Sequence, residues 1–270
     1  MVQQARLAFG AIQPFWAQVS YTEVDGRSPR DRNDQHIHAE CEIYFNLSGD
    51  VSFMVEDRVY PISPGSVILT RPYENHHCIY HSPALHRHFW VLFSCEGNEA
   101  YFPLFFDRAV GEGNLRVLSP ENTAALSALF HEMAERPLSP TEGYLLFARA
   151  MALLRGGVQK SDENERLSAE IAQALEAINR NMAGPLSVTM LADAAHMSVN
   201  SFERHFKRQI GLSPREYIQK KRMAHAVRLL NEGASVMEAC AQSGFTDYSY
   251  FIVMFRRQFG ITPYQYKKRG

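Results

Sequence analysis

The chain has 270 residues, 46% hydrophobic and 21% charged, with a formal net charge of -1. That length accommodates two domains with cores of their own, or one mixed domain, and the composition describes a soluble globular protein. No apolar run approaches the ~18 residues of a membrane span. The opening MVQQARLAFG lacks the basic and apolar regions of a signal peptide, so a cytoplasmic protein with no membrane partner is expected.

In chain order, residues 1–30 read as an arm ahead of a β domain. Within it Phe15, Trp16 and Tyr21 offer aromatic faces that either close over a ligand or join a core. From 31 to 118 come short β-branched and aromatic runs, EIYFNL, VSFMVE, VYPIS and SVILT, broken by Ser48-Gly49-Asp50, Asp57-Arg58 and Pro64-Gly65. Closely spaced strands with such punctuation predict an antiparallel sandwich or barrel. After Pro120 apolar residues recur at three and four (Leu126, Leu129, Phe130, Met133, then Leu145, Leu146, Met151, Leu154), with Pro137 and Pro140 between the two runs. This predicts a helical hairpin over 121–155, closing a first domain of 1–155. Its apolar stripe covers the barrel, or also forms a seam between two copies of the chain. Residues 156–166, GGVQKSDENER, carry two glycines and no apolar periodicity and read as a linker.

Everything from 167 to 270 reads as helical, and it contains a repeat. HFKRQIGLSPREY (205–217) realigns with MFRRQFGITPYQY (254–266) in one frame, matching Phe206/Phe255, Arg208/Arg257, Gln209/Gln258, Gly211/Gly260, Pro214/Pro263 and Tyr217/Tyr266. In each unit a short helix (SVTMLADAA; SVMEACAQS), a turn and a polar, basic second helix (VNSFERHFKRQ; DYSYFIVMFRRQ) describe a helix-turn-helix, whose second helix enters the DNA major groove. A helix begun by Pro214 and ended near Asn231 joins them. Charge divides with the architecture: residues 166–270 carry a net +7 and residues 1–165 a net -8. A basic half either gains by releasing counterions from phosphates or is a solvated face. The cysteines, Cys41, Cys78, Cys95 and Cys240, form no CxxC pair and read as reduced, mostly buried thiols.

The region from about Leu167 to Arg269, including GLSPREYIQKKRMAHAVRLL and GFTDYSYFIVMFRRQFGITPYQYKKR, resembles the DNA-binding domain of AraC/XylS-type transcription regulators. The first half is similar to the cupin-type sensor and dimerisation domain that often precedes it in regulators of sugar use. The implied fold is α+β and multidomain: an antiparallel β cupin or jelly-roll barrel with a helical hairpin, then an all-α domain of two helix-turn-helix units. The implied partners are promoter DNA, a sugar or related small polar effector, a second copy of the chain and, for an activator, RNA polymerase. Carried over residue by residue, the first reading helix uses Asn200, Ser201, Glu203 and Arg204, with Lys207 and Arg208 beside them. Arg204 is suited to guanine and Asn200 to adenine, while Glu203 is equally suited to an intrahelical pair with Lys207. The second helix departs from the family by placing Val253 where members usually have arginine. Its base contacts then fall to Asp247, Tyr248 and Ser249, with Arg256 and Arg257 positioning phosphates.

HIHAECEIYFNLSG resembles the first cupin signature, with His36, His38, Glu42 and Gly49 at its spacing. In PGSVILTRPYENHH, resembling the second signature, His77 falls at the expected place, but Glu74 stands for the usual inner glycine and His81 for the closing asparagine. Alternation along a strand turns His36, His38 and Glu42 to one side. With Trp16, Tyr44 and His77 they form the expected effector pocket. Three readings stay open: hydrogen-bonding groups for an organic effector, ligands of a divalent metal formed by His36, His38, Glu42 and His77, or structural histidines. No cofactor is required by the first and third. Catalysis on such a metal is the competing function class, and the DNA-binding half argues for a signal receiver instead.

Overall fold

The computed structural model describes residues 3–9, 15–25, 38–159 and 167–268. The chain divides into two compact units, Met1–Arg166 and Leu167–Gly270. Among the described residues no helix is long and apolar enough to cross a membrane.

The first unit is built from strands β1 (Gln3–Phe9), β2 (Phe15–Asp25), β3 (Cys41–Ser48), β4 (Val51–Val55), β5 (Arg58–Ile62), β6 (Ser66–Thr70), β7 (His76–Tyr80), β8 (Leu85–Phe93), β9 (Leu115–Val117) and β10 (Val158–Gln159). Seven lie in one sheet, ordered β1-β2-β8-β3-β6-β9-β10, and three in a second, ordered β5-β4-β7. Helices α1 (Pro103–Phe106), α2 (Pro120–Glu135) and α3 (Pro140–Arg155) complete it. Both long helices start on a Ser-Pro step: Ser119 accepts from Asn122 N–H, and Ser139 and Glu142 form a reciprocal capping box.

Strand alternation divides the large sheet into two faces. Cys41, Ile43 and Phe45 of β3, Val67 and Leu69 of β6, and Phe89, Val91 and Phe93 of β8 are fully buried against Leu126, Phe130, Phe147, Ala150 and Leu154 of the hairpin. Cys41 and Cys95 meet there, with the sulfurs 3.1 Å apart. The intervening residues turn toward the small sheet. Tyr44 and Ile68 pack there with Val51, Phe53, Val55, Tyr60 and Leu115 as a second core.

Two boundaries differ from expectation. The arm over 1–30 contains β1 and β2, and β2 pairs with β8 from Ala17↔Phe93 to Asp25↔Leu85. Ala17 and Val19 are fully buried, with the half-buried Gln18 between them. Tyr21 faces the hairpin, its ring 5.2 Å from Phe89 and 5.5 Å from His131, and does not close over the barrel. The linker begins later than residue 156: Gly156 caps α3, and Val158 and Gln159 pair with Val117 and Arg116. Residues 160–166 lie outside the described residues.

Glu74, the residue in the glycine place, is 1% exposed and holds the barrel end together. Its carboxylate accepts from the two terminal guanidinium nitrogens of Arg108 at 2.7 Å, from Gly111 N–H at 2.8 Å, Arg71 N–H at 3.0 Å and the Asn114 amide at 3.1 Å. Tyr60 hydroxyl reaches the Gly111 carbonyl and Asn114 Oδ1. The bidentate pair, with both carboxylate oxygens bonded, explains how a carboxylate tolerates this burial.

The second unit contains α4 (Ala169–Arg180), α5 (Val188–Ala194), α6 (Val199–Ile210), α7 (Pro214–Asn231), α8 (Val236–Gln242), α9 (Tyr248–Phe259) and α10 (Pro263–Lys267). Every expected helix of the repeat is present. Phe202, Phe206 and Ile210 of α6 are fully buried with Tyr217, and Phe251 and Phe255 of α9 repeat the arrangement. Gly211 and Gly260 end α6 and α9 at φ of 82° and 73°, the left-handed conformation that favours glycine. Gly244, in the turn between α8 and α9, also has positive φ (78°), and a side chain there would strike the Met182 carbonyl.

Both tryptophans, Trp16 and Trp90, belong to the first unit, so their fluorescence reports its unfolding alone. Arg108→Ala strands the buried Glu74 carboxylate and should lower that unit's stability by about 3–5 kcal/mol. Urea titration of the full chain checks this; a loss below about 1 kcal/mol would show that Glu74 is held by other groups.

Candidate functional site

Two sets of side chains carry chemistry, one in each unit. In the first unit β3 brings Glu42, Tyr44 and Asn46 to the face turned toward the small sheet, and β7 answers with His76, Cys78 and Tyr80. The register sets this: Phe53 lies opposite Cys78, and Val55 opposite His76. The Phe53 ring stacks on His76 at 5.9 Å and approaches Tyr44 at 4.7 Å, while Tyr44 stacks on His88 at 4.6 Å.

At the centre, His38 Nε2 and His76 Nε2 lie 3.1 and 3.2 Å from the same oxygen, Glu42 Oε2. The two imidazoles meet edge to face with centroids 5.0 Å apart. The histidine of the HH pair that joins this cluster is therefore His76, not His77. His77 lies opposite Met54 in the alternate phase of β7 and, although buried, is not among the convergent donors. His36 lies outside the described residues. Trp16 is on β2, two strands from β3 in the sheet order, with its carbonyl accepting Ser94 N–H. His81, in the place of the closing asparagine, bonds Ser52 Oγ at 2.9 Å.

Sequence reasoning passed over Asn46 and His88. Asn46 is fully buried, and neither end of its side-chain amide has a partner among the described residues; the same holds for His88 Nδ1. Buried polar atoms without partners are rare in folded proteins, and here they face the same interior as Tyr44. The signal for both was the strand alternation that placed Glu42. Burial pushes the Tyr44 phenol well above its ordinary range and the Cys78 thiol up to about 12, so both stay protonated. The interior thus offers hydroxyl, thiol, amide and imidazole groups beside aromatic faces, a lining suited to a polar organic molecule.

In the second unit α6 presents Asn200, Arg204, Lys207 and Arg208 to solvent, with Ser201 and Glu203 half-buried beside them. Its opposite side is the phenylalanine core, so the polar face is fixed in direction. Ser198 caps the helix by accepting Ser201 N–H, leaving the first turn ordered for contact. On α9 Tyr248 is 47% and Val253 63% exposed, and Ser249, Arg256 and Arg257 are exposed with them. Asp247 is exposed, but its Oδ1 accepts Tyr250 N–H at 2.9 Å, so one carboxylate oxygen is committed to capping α9. Tyr250, 48% exposed, joins this face and was not anticipated.

Residues 22–154 match the family model of an AraC-like ligand binding domain, and residues 191–269 that of a helix-turn-helix domain. Relatives include the HTH-type transcriptional activator RhaR of Escherichia coli (strain K12), 24% identical over 254 residues and 90% of each chain. RhaR of Salmonella arizonae aligns over the same share with the same identity. Among solved structures, the DNA-binding domain of AdpA, in complex with a target DNA, is 29% identical over 38% of this chain and 93% of that one, with a TM-score of 0.36. ToxT from Vibrio cholerae O395 is 13% identical over 99% of this chain and 96% of that one, with a TM-score of 0.38.

His88 supplies a pH test of the buried interior. Desolvation lowers its pKa to about 4, outweighing the pull of the Glu42 carboxylate. The unfolded chain takes up a proton near pH 6.5 and the folded one only near 4, so this histidine makes stability fall as pH drops through that window. Relative to His88→Gln, the wild-type chain should lose on the order of 2–3 kcal/mol more between pH 7 and pH 4.5, read from tryptophan-monitored urea midpoints. Parallel pH profiles would place His88 in water.

Proposed function

The chain belongs to the AraC/XylS family of transcription regulators, and from that premise we propose that it reads a promoter mainly through α6 and answers to a sugar or related polar molecule held in the barrel. The observation that carries this reading is the repeated unit of the second half, in which each second helix anchors itself by two buried phenylalanines and turns a polar or basic face outward. Such a helix fits the major groove, and the net charge of +7 on residues 166–270 favours phosphate contact.

The two units divide the reading unequally. On α6, Arg204 carries a fork suited to guanine O6 and N7, and Asn200, one helical turn earlier, an amide suited to adenine. On α9 the exposed Tyr248, Tyr250 and Val253 favour apolar contact with thymine methyls, while Arg256 and Arg257 at its C-terminal end position phosphates. Specificity therefore rests on α6 and affinity on both.

The barrel acts as the receiver. Asn46, His88 and Tyr44 supply hydrogen bonds, and Phe53 and Tyr44 supply faces on which a sugar ring packs. Occupancy changes DNA binding to the extent that the effector favours one state of the chain over another. The reading includes a cytoplasmic homodimer, contact with RNA polymerase if the protein activates, and ligand binding without turnover.

Arg204→Ala should weaken binding to the cognate operator by about 1–3 kcal/mol while scarcely changing affinity for scrambled DNA. Fluorescence anisotropy on an operator selected from random sequence with residues 166–270 measures both. Equal losses on the two DNAs would reduce Arg204 to a phosphate contact, and failure of the 166–270 segment to bind DNA at any salt would overturn the division of labour.

A further inference from the structure

The cluster at the heart of the barrel is arranged for something that the organic-effector reading does not use. His38 Nδ1 lies 3.0 Å from the Glu40 carbonyl oxygen, and His76 Nδ1 lies 2.7 Å from the Glu74 carbonyl oxygen. A carbonyl oxygen only accepts, so each Nδ1 donates a hydrogen, and in the neutral ring each Nε2 is left with a lone pair. Both Nε2 atoms point at one oxygen, Glu42 Oε2. Two imidazole lone pairs and a carboxylate oxygen thus converge, with the His76 and Glu42 side chains only 1% and 6% exposed. Acceptors facing one another in a buried site repel, because water does not screen them there.

A cation among them reverses the sign of the interaction. Imidazoles that ligate metals characteristically give their other N–H to a carbonyl or carboxylate, which fixes the tautomer and the ring direction. Both rings meet that condition. The spacing fits as well: the three donor atoms all lie within 4.8 Å of one another. Metal–donor lengths of about 2.0–2.2 Å put neighbouring donors on one ion roughly 3.0–3.5 Å apart and opposite ones about 4.2 Å apart. Two imidazole nitrogens with one carboxylate oxygen suit first-row transition ions and not magnesium or calcium, which take oxygen shells.

We propose that His38 Nε2, Glu42 Oε2 and His76 Nε2 hold one divalent first-row transition ion inside the barrel. The donor set differs from the one that the spacing of the HH pair suggests, since His76 takes the place of His77. The anchored Glu74 contributes through its backbone: the carbonyl that orients His76 belongs to the residue clamped by Arg108. Only the further consequence, that the ion sits beside an effector, rests on the reading of the barrel as a sensor.

The test uses the full chain, produced without a metal-affinity tag, stripped with a chelator and titrated with Zn2+ by calorimetry. Co2+ serves as a second probe through its visible absorption. One equivalent of each should bind and raise the thermal midpoint. His38→Gln, Glu42→Gln and His76→Gln should each weaken Zn2+ binding by roughly 100-fold or more, the upper end of what loss of an outer partner alone costs. His77→Gln should retain it. Far-UV circular dichroism and DNA binding of each variant establish that it is folded. No stoichiometric uptake at 100-fold excess of ion would overturn the proposal, the cluster then being a proton-bridged imidazolium–carboxylate group. Uptake unchanged in the three variants, or lost only in His77→Gln, would also overturn it. A monosaccharide response that persists in the stripped protein leaves the sensor reading intact even if the ion fails to bind.

Discussion

The buried pair of Glu74 and Arg108 is the constraint on which the sensor unit depends. A carboxylate 1% exposed, bonded twice to one guanidinium and to the backbone of Arg71 and Gly111, ties the β6–β7 turn to the segment before β9. A buried carboxylate is tolerated only when its oxygens are paired and hydrogen-bonded, and the bonds to Arg71 and Gly111 N–H fix the turn closely. The fixed turn then decides the phase of β7, and so which histidine of the HH pair enters the barrel. The carbonyl of Glu74 itself orients the chosen ring. A residue that departs from the family pattern thus positions the part of the pocket that the pattern was used to find.

The other side of the same sheet shows what the alternation is for. β3 turns Cys41, Ile43 and Phe45 to the helical hairpin and Glu42, Tyr44 and Asn46 inward. The apolar face supplies stability by burial against α2 and α3, which lets the inner face carry Glu42 and Asn46 beside the smaller core around Tyr44. The DNA-binding unit uses a similar economy with different periodicity. Paired phenylalanines hold α6 and α9 down, and everything between them on the outer face is available for recognition.

The helical half was nearly all legible in the sequence because its determinants are local. Ser198, Ser213 and Ser235 cap helices three residues from the groups they bond, and Gly211 and Gly260 end them; a forty-nine-residue repeat displays the same grammar twice. The barrel was legible as a class and in the phase of β3, but not in the phase of β7. Tyr73, at a φ of 65°, sits in the turn before that strand, so alternation cannot be carried through it from β6. The role of Glu74 was hidden for a related reason: its partner Arg108 stands thirty-four residues away, and sequence shows only an acid where a glycine was expected. Residues before β3 read as an arm because they precede the signature, yet β2 pairs with β8, a partner some seventy residues later.

On the function proposed above, the polar interior of the first unit governs what the second unit does on DNA. The most direct test is operator affinity of the full chain with and without the monosaccharide that most raises its thermal midpoint, for the wild type and for Asn46→Leu. The sugar should change wild-type affinity about tenfold or more, a coupling of roughly 1.4 kcal/mol, and leave the folded variant's affinity unchanged. An undiminished response in Asn46→Leu, or wild-type affinity indifferent to every sugar that stabilises the chain, would contradict that function.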